Sequence, residues 1–293
     1  MVSGEALQGL APRAVLRLVE TALNEAGVPD ADFDARQLWN AVSPHDPRLC
    51  SEPLDAAQAV RLADLTARRA AREPLQYLLG EWDFLDFTLK VGPGVLCPRA
   101  DTEIVCETAL DCLQEVRQPV VWDLCAGTGC LGLGVKRFRL DAAVTCVEYS
   151  GEALPYLRSN AAHALPKQPD AVTVLQGDVL QGPLALQAPA EGLDLIVSNP
   201  PYLTAEEMAQ LMPETAHEPA LALDGGDDGL VFYRCLLQQW GAALRPGGWL
   251  VLEIGCDQAA AVTALAAQYG WQQVCCRKDY GGNDRVVVAR KKL

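Results

Sequence analysis

The sequence predicts an α/β protein whose mostly parallel sheet is preceded by a small helical domain. From residue 98 onward, apolar strand-like runs alternate with segments of helical spacing, a pattern typical of a parallel sheet covered by helices on both faces. The region before residue 80 shows helical spacing alone. Between these regions, Phe84, Phe87 and Leu89 occur among polar residues, which predicts a short β-hairpin over residues 81–91.

Three helices are predicted in the N-terminal region, over residues 11–26, 31–42 and 55–71. Apolar side chains recur on one face of the first helix, at Val15, Leu16, Val19 and Leu23. We assign residues 1–79 to a helical domain, 80–97 to a hairpin linker and 98–293 to the sheet domain. The helical pattern alone fits a packing cap for the larger domain nearly as well as a surface that binds a partner.

The sheet domain is predicted to contain seven strands, at residues 119–124, 143–147, 172–175, 193–197, 248–254, 272–276 and 285–289. A helix over 102–116 precedes them, and another over 130–138 follows the first strand. The last two strands lie close together in the sequence, which permits an antiparallel pair at one edge. The uncharged stretch 258–276 reaches membrane-spanning length, but its glutamines and its Tyr269-Gly270 break predict a helix followed by a strand.

A glycine-containing turn follows the first strand of the predicted sheet. Glycines at a strand-to-helix turn let the backbone approach a ligand closely, although such turns also occur for packing alone. The pattern D-x-x-x-G-x-G differs from the sequences that bind phosphate and suits a nucleoside that carries a sulfonium and an amino acid tail. Asp123 would supply negative charge near the cationic end. The predicted cofactor loop comprises Asp123, Cys125, Ala126, Gly127, Thr128 and Gly129.

Acidic residues end the next two strands. Glu148 follows the second strand, where a carboxylate can accept both hydroxyl protons of a ribose. Asp178 follows the third strand and can accept from an adenine amino group, and Val179 can cover a ring face. Each acidic residue could singly be a solvated loop residue. Their occurrence at successive strand ends favours one shared nucleoside site.

The fourth strand leads directly into Asn199-Pro200-Pro201-Tyr202. Two successive prolines hold the strand end in extended geometry and fix the direction of the Asn199 side chain. Because proline has no N–H, this strand end presents hydrogen-bond acceptors to an incoming –NH2 group. We therefore predict a site that recognises a planar amide or amine, with Asn199 also close to the cofactor.

Together, the glycine loop, the acidic end of the second strand and N-P-P-Y resemble the family of glutamine methyltransferases that modify peptide chain release factors. Other motifs fit the same family, namely R-E-P-L at 72–75, P-R-A-D-T-E at 98–103, H-E-P at 217–219 and D-Y-G-G-N-D-R at 279–285. The resemblance covers essentially the whole chain. One departure is Cys125-Ala126, where the family more often has glycine and threonine. Both replacements are small, so we expect a tighter loop rather than a lost site.

The resemblance implies a Rossmann-like class I methyltransferase domain that uses S-adenosylmethionine and releases S-adenosylhomocysteine. The implied substrate is the glutamine of the Gly-Gly-Gln motif in class-1 release factors, with the helical domain helping to hold the release factor. The implied catalytic residues are Asn199, Pro200 and Tyr202. The implied substrate site also includes Pro201, Arg99 and Glu218. Arg99 and Glu218 are assigned to it from the family pattern more than from their chemistry.

A glutamine amide nitrogen is a poor nucleophile because its lone pair is delocalised into the carbonyl. Our hypothesis is that the Asn199 side-chain oxygen and the Pro200 carbonyl each accept one amide N–H, while Tyr202 packs on the amide plane. The chemistry then requires no general base and no metal. Two alternatives remain open: the same acceptors would fit an exocyclic amine of DNA or RNA, and a protein with this fold could serve as a binding scaffold.

The composition favours a protein substrate. The net charge is −14, with a pI near 4.6, whereas an enzyme that holds DNA is expected to present a basic patch. The eleven cysteines are odd in number and form no C-x-x-C pair, and the three histidines lie far apart, so we expect neither disulfides nor a metal site. The N-terminus has no apolar export signal. We expect a cytoplasmic protein that binds neither nucleic acid nor membranes directly.

Overall fold

The structure is a computed structural model that describes residues 2–165 and 171–293. These residues form two compact units. The first comprises the described residues up to Glu81 together with Met212–His217, and the second comprises those of Trp82–Leu211 and Glu218–Leu293. No helix in the described part of the chain combines the length and apolar character that a membrane span needs.

The first unit is helical. Its helices are α1 (Gly4–Leu7), α2 (Pro12–Glu25), α3 (Ala31–Asn40), α4 (Ala56–Ala70) and α5 (Leu75–Leu79). The three helices predicted from periodicity are confirmed to within two residues at each end, and Val15, Val19 and Leu23 are buried as their spacing predicts. Asp55 caps α4, because its carboxylate accepts from Gln58 N at 2.8 Å while the Gln58 side chain accepts from Asp55 N at 3.0 Å.

An ion cluster of buried and half-buried side chains lies inside the first unit. Arg69 donates to Asp34 at 2.6 Å and to Glu214 at 2.9 Å. Arg72 binds both oxygens of Glu214, at 2.6 and 2.7 Å. Burial raises the pKa of Glu214, but the hydrogen bonds from Arg72 and Arg69 outweigh that effect and lower it to about 2. Glu214 is therefore ionised at neutral pH and ties the segment Met212–His217 to α4 and the turn that follows it.

The second unit contains a hairpin and a seven-stranded sheet. The hairpin strands are β1 (Glu81–Phe84) and β2 (Phe87–Lys90), and the sheet strands are β3 (Val120–Leu124), β4 (Ala143–Glu148), β5 (Val172–Gln176), β6 (Leu193–Ser198), β7 (Leu244–Glu253), β8 (Gln272–Lys278) and β9 (Asp284–Arg290). The sheet order is β5-β4-β3-β6-β7-β9-β8. Strands β3 to β7 pair in parallel, and β9 is antiparallel to both β7 and β8. The predicted hairpin and the predicted antiparallel edge pair are confirmed.

Helices cover both faces of this sheet. They are α6 (Glu103–Cys112), α7 (Cys130–Phe138), α8 (Leu154–Ala164), α9 (Gly182–Ala185), α10 (Ala205–Met208), α11 (Val231–Gln238) and α12 (Ala259–Gln268). One apolar core joins α6, α7 and α8 to side chains such as Val121 and Val197, and the other joins α11 and α12 to Ile196 and Leu250. The strand order reverses between β3 and β6, so their carboxyl ends open a crevice of the kind in which α/β folds bind ligands.

Two predicted boundaries are corrected. The helix predicted over 102–116 spans Glu103–Cys112, and Thr102 belongs instead to a separate 3₁₀ turn, Ala100–Thr102. The fifth strand of the sheet, β7, begins at Leu244 rather than at residue 248, although it includes Pro246 and two glycines. A register shift against β6 accommodates these strand-breaking residues, because the paired positions jump from Leu244 to Trp249.

Candidate active site

A cavity occupies the crevice at the carboxyl ends of β3 to β6. Most of the predicted cofactor and substrate residues line it, namely Asp123, Cys125, Ala126, Gly127, Thr128, Glu148, Asp178, Val179, Asn199 and Pro201. Five predicted site residues are not among the lining residues: Gly129, Pro200, Tyr202, Arg99 and Glu218. The structure thus brings together side chains from four strand ends. Among these residues, Asp123 and Pro201 lie 78 positions apart in the sequence.

Asp123 presents an unsatisfied oxygen at this cavity. Its side chain is 1% exposed, and its Oδ2 accepts from Gly132 N at 2.8 Å. The other oxygen, Oδ1, has no hydrogen-bond partner among the described residues. Burial raises the pKa of Asp123 to about 7, with the Gly132 hydrogen bond opposing and the charge of Glu148 adding to the rise. A buried carboxyl with a free oxygen fits a cationic ligand group such as an ammonium.

The pKa of Asp123 predicts how cofactor affinity depends on pH. A cationic group is attracted only to the ionised carboxylate, which is the minor form below pH 7. We therefore expect the affinity for S-adenosylmethionine to rise between about pH 5.5 and about pH 7.5, with release of a proton on binding. Titration calorimetry in two buffers of different ionisation enthalpy measures both effects. Asp123→Asn should bind weakly with little pH dependence, and a wild-type affinity that is constant over this range would contradict the assignment.

Glu148 is held rigidly at the end of β4. One carboxylate oxygen accepts from Gly127 N and the other from Ser150 N, each at 2.7 Å. Burial raises the pKa of Glu148, and these backbone hydrogen bonds oppose the rise. The first bond also ties the carboxylate to the glycine loop. The remaining lone pairs of a carboxylate fixed in this way can accept from a vicinal diol, as a ribose would present.

The glycine loop contains a strained position. Cys125 has a φ of +62°, in the left-handed region that disfavours residues with a Cβ, and Gly127 and Gly129 have φ values of +54° and +83°. Cys125 is the position at which the resembled family more often has glycine. At Gly129, a Cβ would come within 2.5 Å of a Leu157 methyl group, so this glycine is needed for close packing below the loop. The loop therefore adopts the backbone conformation that glycine would favour, and the Cys125 backbone is strained as a result.

Replacing Cys125 with glycine is expected to stabilise the protein. The left-handed conformation costs a residue with a Cβ about 1–2 kcal/mol, part of which is offset by the greater flexibility of glycine in the unfolded chain. We expect Cys125→Gly to raise the free energy of unfolding by about 1 kcal/mol, measured by urea denaturation. Cys125→Ala, which keeps the Cβ, is the matched control and should show no gain; equal stabilisation by both would contradict a strained backbone.

The predicted adenine residues lie at the end of β5. The Asp178 side chain accepts from Leu180 N at 2.9 Å and caps the short turn Val179–Gln181. Val179 is buried, and its carbonyl accepts from the indole of Trp240 at 3.0 Å, which fixes the turn. Phe232 of α11 also lines the cavity, and the sequence offered no signal for it. The turn and this ring together form a mostly apolar wall that suits a flat heterocycle.

The N-P-P-Y segment is braced from several directions. Ser198 donates its hydroxyl to the Leu124 carbonyl at 2.6 Å, which links the ends of β6 and β3. The side chain of Gln258 donates to the Tyr202 carbonyl at 2.9 Å. A Cβ on Gly225 would lie 2.7 Å from the Tyr202 backbone, so this glycine permits a close approach of the following loop. Gln258 and Gly225 were not predicted, because only the tertiary fold brings them to this segment.

The members of N-P-P-Y occupy different positions. Asn199 and Pro201 line the cavity, whereas Pro200 is buried and is not among the lining residues. The ring of Tyr202 packs beside the apolar core that contains α11 and α12. Burial raises the pKa of its hydroxyl, and the nearby charge of Glu253 adds to the effect. The role of Tyr202 in packing on the substrate amide stays a prediction.

Arg99 and Glu218 pair with each other. The Glu218 carboxylate is buried, and its oxygens accept from Cys97 N at 3.1 Å and from Arg99 at 2.5 Å. Cys97 and Pro219 are lining residues, so this pair braces two segments that border the cavity. Both oxygens of Glu218 are thus engaged within the protein. Direct binding of a substrate by Arg99 or Glu218 stays a prediction.

Comparison with known proteins places this chain in a family. Residues 14–80 match the model of the PrmC N-terminal domain, and residues 86–226 match that of the methyltransferase small domain. A release factor glutamine methyltransferase of Geobacter sulfurreducens is 36% identical over 284 residues, which cover 95% of this chain and 96% of that protein. The chain belongs to the release factor glutamine methyltransferase family. The resemblance predicted from the motifs is therefore confirmed.

Other relatives of this name agree with the assignment. The Deinococcus radiodurans protein is 38% identical over 283 residues, covering 95% of this chain and 98% of its own length. The Moorella thermoacetica protein is 40% identical over 253 residues, covering 84% and 86%. Membership of a family of glutamine methyltransferases, together with the seven-stranded sheet, confirms the predicted Rossmann-like class I methyltransferase fold and the predicted class of enzyme.

Proposed function

We propose that this protein transfers a methyl group from S-adenosylmethionine to the side-chain amide nitrogen of the glutamine in the Gly-Gly-Gln motif of class-1 release factors. The observation that carries the proposal is the position of Asn199 in the same cavity as Asp123 and Glu148. An acceptor for an –NH2 group and a candidate nucleoside site therefore face one space. The relatives named release factor glutamine methyltransferase support the choice of substrate.

The residues of the cavity fit the cofactor in three parts. The free Oδ1 of Asp123 would accept from the ammonium of its amino acid tail, and Glu148 from its ribose hydroxyls. Asp178 and Val179 would hold the adenine ring at the end of β5. When bound, S-adenosylmethionine supplies a methyl group that is electrophilic because it is attached to a sulfonium. Asp123 would bring an opposite charge to the cationic end of the ligand.

Asn199 and Pro200 would hold the reacting amide. The Asn199 side-chain oxygen and the Pro200 carbonyl would each accept one N–H, which turns the nitrogen lone pair towards the methyl group. The two acceptors would also stabilise the positive charge that develops on nitrogen as the bond forms. The two prolines and the hydrogen bond from Gln258 to the Tyr202 carbonyl keep these acceptors fixed. The chain thus supplies orientation and electrostatic stabilisation.

The helical unit would recognise the release factor, and the reaction would take place in the cytoplasm. A protein substrate accords with the net charge of −14, because phosphate-rich nucleic acid would be repelled by an acidic surface. Arg99 and Glu218 would shape the entrance for the Gly-Gly-Gln loop through the two segments that they brace. The amino-methyltransferase of DNA or RNA bases is the second candidate, since Asn199 would accept from either kind of –NH2 group.

A labelling experiment tests the proposed substrate. The purified protein is incubated with methyl-labelled S-adenosylmethionine and, in parallel, with unmethylated release factor, the same factor carrying Gly-Gly-Ala, or mixed DNA and RNA. We expect label only on the Gly-Gly-Gln factor, located on the glutamine by peptide mass spectrometry. Label on nucleic acid alone would overturn the substrate, and bound cofactor without any transfer would indicate a scaffold.

A further inference from the structure

Asn160 is a buried residue of α8 that the proposed function does not yet involve. Its side chain is 1% exposed, and its neighbours on the helix, Leu157 and Ala161, belong to an apolar core. Its Oδ1 accepts from Lys90 N at 2.7 Å, and its Nδ2 donates to the carbonyls of Lys90 and Thr128, each at 3.0 Å. The oxygen and both N–H groups of this amide are therefore engaged, as a buried polar group requires.

Thr128, the first partner of Asn160, belongs to the glycine loop. It is 2% exposed and lines the cavity. The residue before it, Gly127, donates its N–H to the Glu148 carboxylate at 2.7 Å. Two successive residues of the loop are thus held by different elements, Gly127 by the end of β4 and Thr128 by α8.

Lys90, the second partner, is the last residue of the hairpin strand β2. The Asn160 amide binds both the N–H and the C=O of Lys90, as an adjacent antiparallel strand would. One turn earlier on α8, the Tyr156 hydroxyl donates to the Pro93 carbonyl at 3.2 Å. The chain then continues directly into residues 94–98, all of which line the cavity. Helix α8 therefore holds the segment that leads into a second border of the cavity.

One side chain thus connects two segments that border the candidate cofactor site. We propose that Asn160 is a positioning residue for S-adenosylmethionine, an inference that rests on the proposed function. Asn160 is not itself among the lining residues, so it acts through Thr128 and Lys90. It keeps the glycine loop and residues 94–98 in the arrangement that binds the cofactor. A site that spends part of its time in another arrangement binds its ligand with correspondingly lower affinity.

Leucine at position 160 has a similar size but forms none of these hydrogen bonds. The Lys90 N–H and the carbonyls of Lys90 and Thr128 would lose their partner, which favours arrangements in which water reaches them. Bound cofactor would draw the loop back into its original arrangement. The variant should therefore lose cofactor affinity while keeping its rate once the cofactor is saturating.

The test compares Asn160→Leu with the wild-type chain. Titration calorimetry with S-adenosylhomocysteine measures the Kd, which we expect to rise at least about 10-fold, as for a loop that is competent about a tenth of the time. The kcat for glutamine methylation at saturating S-adenosylmethionine should stay within about threefold of the wild type. A wild-type Kd in Asn160→Leu would overturn the proposal.

Lys136→Met is the matched control for general destabilisation. Lys136 is a buried residue of α7 whose ammonium donates to the carbonyls of Leu140 and Ala142, at 2.8 and 2.7 Å. None of these three residues lines the cavity. The variant should lower the thermal midpoint and keep the wild-type Kd. An equal loss of affinity in Lys136→Met and Asn160→Leu would overturn a specific role for Asn160.

Asn160→Ser covers the case in which Asn160→Leu fails to fold. Serine leaves room for water, which can bridge part of the lost hydrogen bonds, so its Kd should lie between those of the wild type and the leucine variant. A wild-type Kd in the serine variant would then overturn the proposal. If the wild type binds the cofactor but labels no glutamine, the proposed substrate fails and the Kd values still decide the role of Asn160. If the wild type binds no cofactor, both are overturned.

Discussion

Replacing Asn199 with alanine is expected to reduce the kcat for glutamine methylation by at least about 100-fold. The change removes the side-chain acceptor that would orient the amide and stabilise the charge developing on its nitrogen. Cofactor affinity should change by less than about threefold, because Asp123 and Glu148 remain in place. Single-turnover methylation measures the first quantity, and titration calorimetry measures the second.

Two further variants sharpen this test. Asn199→Asp keeps an acceptor oxygen, so it should retain more activity than the alanine variant. Asn24→Ala alters an exposed asparagine of α2 and should leave the rate unchanged. An Asn199→Ala protein that methylates at about a third of the wild-type rate or faster would remove Asn199 from the mechanism.

Replacing Glu148 with alanine is expected to produce the converse result, a loss of cofactor affinity. Hydrogen bonds to a charged group contribute about 1.5–3 kcal/mol, so losing the ribose contacts should weaken binding about 10- to 150-fold. The glycine loop should also loosen, because Gly127 N loses its carboxylate acceptor. Calorimetry with S-adenosylhomocysteine measures the change without turnover, and kcat at saturating cofactor should fall much less.

The controls for Glu148 separate the ligand contact from the loop. Glu148→Gln keeps one acceptor oxygen, so it should bind the cofactor more tightly than the alanine variant does. Glu115→Ala changes an exposed carboxylate after α6 and should bind as wild type. Unchanged affinity in Glu148→Ala would show that the ribose is held by a different strand end.

The sequence predicted those parts of the fold that depend on local periodicity. The helix at Cys130–Phe138 has the predicted bounds, because apolar spacing and the preceding glycine turn both act over one or two helical turns. The early start of β7 was missed because Pro246 and Gly247 usually end a strand. Pairing with β6 overrides that local preference once the register shifts. Such pairing depends on residues far apart in the sequence, so a short segment of the sequence cannot predict it.

The residues of the candidate site also fall into those that the local sequence predicts and those that only the tertiary fold reveals. Asp123, Glu148 and Asn199 could be predicted because each follows a recognisable strand and parallel strands end at one edge. Phe232 could not, since nothing in the local sequence reports which side chains of α11 border the cavity. Motifs also do not report side-chain direction. Glu218 belongs to a family motif, yet its carboxylate is directed at Cys97 N and Arg99.

The ion cluster around Glu214 has a consequence for the order in which the chain can fold during synthesis. Arg69 and Arg72 leave the ribosome long before Glu214, because β3 to β6 and the N-P-P-Y segment are translated between them. A nascent helical region therefore carries two arginines that still lack one of their carboxylates. Its ion cluster can be completed only after the N-P-P-Y segment has been made. A fragment that stops at residue 81 is expected to be less stable than the same helices in the full chain.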